Sequence, residues 1–213
     1  AERAAKLHRI ADAVEARIHE FAQVEALDCG KIYAQAIGDI QNFIDTFRYF
    51  ADLSQAVNYR QVIAVKKHEA WVTRHAWGAC GFIFPWNFPF LLIGWGISPA
   101  LASGNTVVIK PAEDTSLSAI YLARLAKEVG VPDGVINLIY VDGPTAGDII
   151  FKHPDFAGIH FTGSTGAMSD YVQDYKPQKV VLITECSMSD NVAVANPDVE
   201  FIKPCNLCPH MKV

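Results

Sequence analysis

Between Trp77 and Ile109 the chain carries no Asp, Glu, Lys or Arg. An uncharged run of this length is long enough to cross a bilayer as a helix. It is broken, however, by Pro85, Pro89 and Pro99, by Gly94, Gly96 and Gly104, and by Asn87 and Asn105. A lipid-facing helix does not carry so many interruptions. Split at the prolines, the run reads as buried strand, loop, helix and buried strand. Central strands of a parallel sheet are apolar on both faces, so burial in protein accounts for the run without lipid. The segment therefore requires a domain large enough to hide a sheet. Composition agrees: of 213 residues, 51% are hydrophobic and 19% charged, which excludes disorder as the main state. The formal net charge of −5 argues against a general nucleic-acid binder, which would show a basic excess. Neither nucleic acid nor a membrane is expected as a partner.

The five cysteines, Cys29, Cys80, Cys186, Cys205 and Cys208, are odd in number and too sparse for a disulfide framework. A reducing compartment is expected, either the cytoplasm or an organelle matrix. The start, Ala1-Glu2-Arg3-Ala4-Ala5-Lys6, places charge where a signal peptide needs an apolar core. It has no initiator Met, so the sequence is expected to begin inside a longer one.

The first forty-odd residues are helical in pattern. Leu7, Ile10, Val14, Ile18, Phe21 and Val24 form one apolar stripe, with Gly30 as its stop. A second stripe runs through Ile37, Ile40, Ile44, Phe47 and Ala51. Residues 61–75 read as extended chain. From Gly78 the rhythm changes. Short apolar runs near Gly81–Phe84, Thr106–Ile109, Val135–Tyr140, Gly158–Phe161 and Val180–Ile183 alternate with helix-length segments. Those segments lie at about Phe90–Ala102, Leu117–Val129, Thr145–Phe151 and Gly166–Asp174. Such alternation predicts an α/β fold with a mostly parallel sheet and helices on its faces. Ligands of such sheets bind beyond the carboxyl ends of the strands.

Four strand ends lead into loops with candidate chemistry. Pro85-Trp86-Asn87-Phe88-Pro89 is stiffened by two prolines, and a rigid amide at Asn87 could stabilise an oxyanion; an Asx-type turn explains the same residues without function. Lys110-Pro111-Ala112-Glu113 offers a carboxylate and an ammonium to the hydroxyls of a ribose, or an ordinary acidic helix start. In Asp142-Gly143-Pro144-Thr145-Ala146-Gly147, two glycines would allow backbone to approach a ligand closely. Phe161-Thr162-Gly163-Ser164-Thr165-Gly166 suits a pyrophosphate at a helix N-terminus. Neither GxGxxG nor GxxxxGK[ST] occurs, so the usual nucleotide fingerprints are absent.

The loops are more specific together than singly. PWNFP, SPALASGNTVVIKPAE, GVPDGVINLI, GPTAG and HPDFAGIHFTGST follow one another in this order. The set resembles the NAD(P)-dependent aldehyde dehydrogenase superfamily over about residues 1–200, and Val24-Glu25-Ala26-Leu27-Asp28-Cys29-Gly30-Lys31 is similar to that family's LEALDNGKP. The resemblance implies a Rossmann-like parallel sheet with helices on both faces, preceded by N-terminal helices, with the catalytic domain absent from this sequence. It divides the chain into N-terminal helices and an extended segment over 1–77, a dinucleotide-binding region over 78–200 and an atypical tail over 201–213.

By the same resemblance Asn87 matches the oxyanion-hole asparagine. Pro85 and Trp86 match cofactor-lining positions, as does Ile83 through its backbone. Lys110 and Glu113 match the pair that grips the adenine ribose, Gly143 and Gly147 the glycines beside the adenosine, and Ser164 the serine on the pyrophosphate. Phe161, at the end of its strand, counts among the cofactor-binding positions. A carboxylate at Glu113 repels a 2′-phosphate, so NAD is expected over NADP. The implied partners are a small aldehyde and, for the complete protein, further copies of itself.

The match breaks in two places. The family's E-L-G-G-K, whose Glu is the general base, meets Thr184-Glu185-Cys186-Ser187-Met188-Ser189 here. An ungapped fit to Asn196-Pro197-Asp198 would put Thr184 at the base position; Glu185 is preferred, because only a carboxylate can activate water there. Met168 stands where the family has glycine. The tail holds Cys205, Cys208 and His210, three ligands where structural zinc takes four, so no metal is expected. The family's nucleophilic cysteine lies beyond the residues present, and this chain is expected to be inactive alone. A non-catalytic binding or structural protein is the rival reading.

Overall fold

The computed structural model describes residues 1–161, 165–176, 179–181 and 192–202, which form two compact units, Ala1–Phe161 and Thr162–Val213. The first opens with α1 (Glu2–Glu15), α2 (Ile18–Cys29) and α3 (Tyr33–Ala56). The single stripe expected through Val24 is broken. At Arg17 the backbone leaves the helical region (φ −121°, ψ 24°), and its guanidinium is tied to Glu20 at 2.7 Å and to Glu128 at 3.3 Å. The apolar face is reset by this break. In α2 the buried residues are Phe21, Ala22 and Glu25, while Val24 is only half-buried. Gly30 closes α2 at φ +70°, the left-handed cap that glycine adopts without a Cβ clash. The second stripe is buried at Ile40, Ile44, Phe47 and Ala51, while Ile37 at its start is half-buried.

The extended segment forms a hairpin. β1 (Arg60–Val65) pairs antiparallel with β2 (His68–Thr73), and Lys67 in the turn takes φ +63°. Nearly every residue of both strands is exposed, including Val62 and Trp71.

The central sheet is built from β3 (Ala79–Ile83), β4 (Thr106–Lys110), β5 (Ile136–Leu138) and β6 (Phe156–Phe161), in the order β5-β4-β3-β6 and parallel throughout. Three helices connect them: α4 (Pro89–Ala102), α5 (Leu117–Glu128) and α6 (Gly143–Lys152). The chain steps outward from β3 to β4 to β5 and then returns to the other side of β3. Successive side chains of a strand point to opposite faces, and β3 shows this directly. Phe82 and the following Phe84 pack against Gly96 of α4, whose Cβ position lies 2.7 Å from the Phe84 ring. Gly81 faces the other way, where a Cβ would stand 2.6 Å from Ile150 of α6. Helices therefore cover both faces. The core continues from α4 into α3 through Phe43, which stacks on Phe47 at 4.4 Å and meets Phe90 at 4.2 Å.

In the second unit α7 (Thr165–Tyr175) carries the buried Val172, which clusters with Val192 and Val199. β7 (Lys179–Val181) pairs parallel with β8 (Glu200–Ile202). Among the described residues no helix is long and apolar enough to cross a membrane.

Gly94 lets α4 approach α3. A Cβ there would stand 2.6 Å from the Phe43 ring and 3.4 Å from its Cα. Gly94→Ala gains roughly 1 kcal/mol of helix propensity but incurs about 1–3 kcal/mol of overpacking. Chemical denaturation is expected to show net destabilisation; a variant as stable as the parent would mean that α3 and α4 separate freely.

Candidate functional site

The carboxyl ends of β3 and β4 are level. Ile83 pairs with Lys110, the last residues of the two strands, and the Phe84 amide donates to the Lys110 carbonyl at 3.0 Å. Residues leaving these strands therefore emerge side by side. From β3 the chain passes through Pro85, Trp86, Asn87 and Phe88 into α4. Pro85 is half-buried, while Trp86, Asn87 and Phe88 are exposed. Among the described residues none hydrogen-bonds the Asn87 side chain, so its amide is left as a donor to solvent or a ligand.

Lys110 ends β4 with only 3% of its side chain exposed. Its Nζ donates to Glu113 Oε2 at 2.7 Å, and Glu113 Oε1 accepts from the Gly143 amide at 2.6 Å. The Lys110 bond holds the Glu113 carboxyl below the usual carboxylate range, against the opposing effect of partial burial and with help from the Gly143 amide. Gly143 can donate because it opens α6, where first-turn amides have no partner within the helix. Asp142 caps the same helix, its carboxylate accepting from the Thr145 amide at 3.0 Å. The Thr145 hydroxyl, and then its amide, draw the Asp142 carboxyl downward as well. A carboxylate has about four lone-pair sites and an ammonium three protons. Among the described residues one proton of Lys110 and one lone pair on each Glu113 oxygen are in use, an arrangement with acceptors to spare for a hydroxyl-bearing ligand.

The sequence starts the helix after β5 at about Thr145, and the structure starts it two residues earlier, at Gly143. Gly143 and Gly147 belong to the first two turns of α6, because the Asp142 cap starts the helix earlier than Thr145, and Gly147 is buried. Phe161 ends β6 opposite Ile83. Lys110, Glu113 and Gly143 are thus bonded together, and Ile83, Pro85, Trp86 and Asn87 leave the neighbouring strand. Ser164 and Glu185 lie outside the described residues, as do Cys186, Cys205, Cys208 and His210.

Three residues beneath this edge had no assigned role in the sequence. Glu25, fully buried on α2, accepts from the Phe90 amide at 3.2 Å. Asp28, one turn on, accepts from the Leu117 amide at 2.8 Å. Lys31 stands 3.4 Å from Glu25 and 2.7 Å from Asp39, with its Nζ 4.6 Å from the centre of the Phe88 ring. Burial pushes the Glu25 carboxyl up, opposed by the Phe90 amide and by Lys31. An acid on the apolar face of a helix was the available signal, hidden by reading one unbroken stripe.

The geometry can be set beside known proteins. The model of the aldehyde dehydrogenase family matches residues 1–200. Mouse retinaldehyde dehydrogenase 3 is 47% identical over 204 residues, 95% of this chain and 37% of that protein. The NADP/NAD-dependent aldehyde dehydrogenase PuuC of Escherichia coli is 40% identical, over 94% of this chain and 41% of its own length. Among solved structures, the NAD+ complex of an aldehyde dehydrogenase from Bacillus cereus superposes with a TM-score of 0.77 at 40% identity, covering 82% of this chain and 36% of that one. The chain belongs to the aldehyde dehydrogenase family. It spans well under half the length of these relatives.

If Lys110 sets the Glu113 charge, Lys110→Met should move the Glu113 carboxyl titration upward, toward that of an ordinary glutamate. Carboxyl-carbon NMR follows it residue by residue, and an unmoved midpoint would assign the shift to another group.

Proposed function

We propose that this chain is the cofactor-binding segment of an enzyme that oxidises an aldehyde to the carboxylic acid with NAD as hydride acceptor, through a thioester on a cysteine. The observation that carries the reading is the pairing of a free amide at Asn87 with the Lys110–Glu113–Gly143 cluster on the adjacent strand end. Kinship with aldehyde dehydrogenases supports it.

In this reading Glu113 accepts from the two hydroxyls of the adenine ribose and Lys110 donates to the same sugar. Ile83, Pro85 and Trp86 line the cofactor, and the family resemblance adds Phe161 and Ser164 to the residues that bind it. The nicotinamide ring, when bound, supplies the hydride acceptor. A cysteine thiolate adds to the aldehyde carbonyl, and the Asn87 amide donates to the oxygen as it becomes negative. After oxidation Glu185 takes a proton from water, which attacks the thioester and frees the acid.

NAD is preferred to NADP because Glu113 would face a 2′-phosphate with like charge. Glu113→Gln removes the charged acceptor and that repulsion together. NAD binding to the chain should weaken by on the order of tenfold, and the preference for NAD over NADP should shrink. Titration of both cofactors reads the ratio, and an unchanged ratio would count against Glu113 as the ribose ligand.

Neither described cysteine suits the nucleophile. Burial pushes both the Cys29 and the Cys80 thiol upward. Cys29 Sγ donates to the Glu25 carbonyl at 2.9 Å, and Cys80 lies early in β3, away from its carboxyl end. With Cys29 and Cys80 set aside, and the tail cysteines unlike the family's nucleophile segment, the 213-residue chain alone is expected to form no NADH from a panel of simple aldehydes. Turnover lost on Cys205→Ser or Cys208→Ser would make the tail the nucleophile segment instead.

A further inference from the structure

We propose that Glu25 is a positioning residue for the Asn87 loop, holding the start of α4 through the Phe90 amide while Lys31 holds Phe88. This rests on the reading of Asn87 as the oxyanion donor. α4 begins with no cap of its own: Phe88 stands at the N-cap and makes no side-chain bond. Pro89 has no N–H to place, so the Phe90 amide is the first donor of the helix. Its acceptor comes from 65 residues earlier in the chain.

The neighbours of Asn87 are thereby fixed from one buried cluster. Lys31 contacts the Phe88 ring on one side and the Glu25 carboxylate on the other, and Asp39 completes its charge balance. Pro85 and Pro89 stiffen the backbone on either side. Asn87 is left exposed between constrained residues, so its backbone position is set by groups that never meet the substrate. Burying ions adds little net stability compared with apolar packing. A hydrogen-bonded ion at this depth is better explained by the geometry it imposes: a preorganised donor acts on a developing oxyanion only if it is aimed before the charge appears.

Hydrogen exchange on the 213-residue chain tests the holding role. Glu25→Ala should speed exchange at the Phe90 amide about tenfold, the effect of losing one helix cap. The start of α6, capped by Asp142, should not change. Glu25→Gln keeps an acceptor oxygen and should restore most of the protection. Equal acceleration at both helix starts, or none at Phe90, would overturn the proposal and leave the oxyanion reading untouched. In a full-length form that carries this segment, Glu25→Ala should lower kcat with little change in KM, and should add nothing once Asn87→Ala is present. A Glu25→Ala effect of equal size in both backgrounds would also overturn it. Asn87→Ala as fast as its parent would instead remove the oxyanion reading, and with it any catalytic meaning of the held loop.

Discussion

Burial of β3 on both faces is the constraint from which the rest of the first unit follows. A strand that shows Phe82 to one layer and Gly81 to the other needs a helix on each side. It also needs a parallel neighbour on each edge, which β4 and β6 provide. Once both neighbours run the same way, three strand ends open at one rim. The connections must then cross over as helices, and each helix begins close to that rim. Site residues gather there because the strand in the middle has no other way to be covered.

The uncharged run made this architecture readable. Its prolines and glycines divided it into the observed β3, α4 and β4, and the 3.6-residue spacing of α3 gave its buried face. Lys110 and Glu113 could be picked out because a strand end is a position that can be counted from sequence. What could not be counted was the turn between α1 and α2. The apolar spacing runs on unbroken through Arg17, whose backbone leaves the helical region, and nothing in that spacing marks the break. Residues 61–75 were read as extended chain, as β1 and β2 are, but their pairing as a hairpin was not, because exposed strands lack the alternation that marks a half-buried one. Gly143 was placed in a loop because the cap that draws it into α6 is a single Asp142 bond.

The two edges of the site are held by unlike means. The Asn87 loop is held by proline stiffness and by acceptors beneath it, so it is ordered before any ligand arrives. Glu113, half-exposed, is held by two charge-assisted bonds of 2.6 and 2.7 Å that leave lone pairs facing outward. One edge presents an exposed amide on a stiffened loop and the other an anchored carboxylate.

Glu25, Asp28, Glu113 and Asp142 share one habit: each lends a carboxylate to an amide in the first turn of a helix, at Phe90, Leu117, Gly143 and Thr145. The positive pole of a helix ordinarily draws anions from solution. In α4, α5 and α6 that pole is already occupied by an anion covalently part of the chain. A dissolved anion that approaches any of these three ends meets a carboxylate already bonded to one of its first-turn amides. At each of these ends the chain thus carries its own competitor for a dissolved anion.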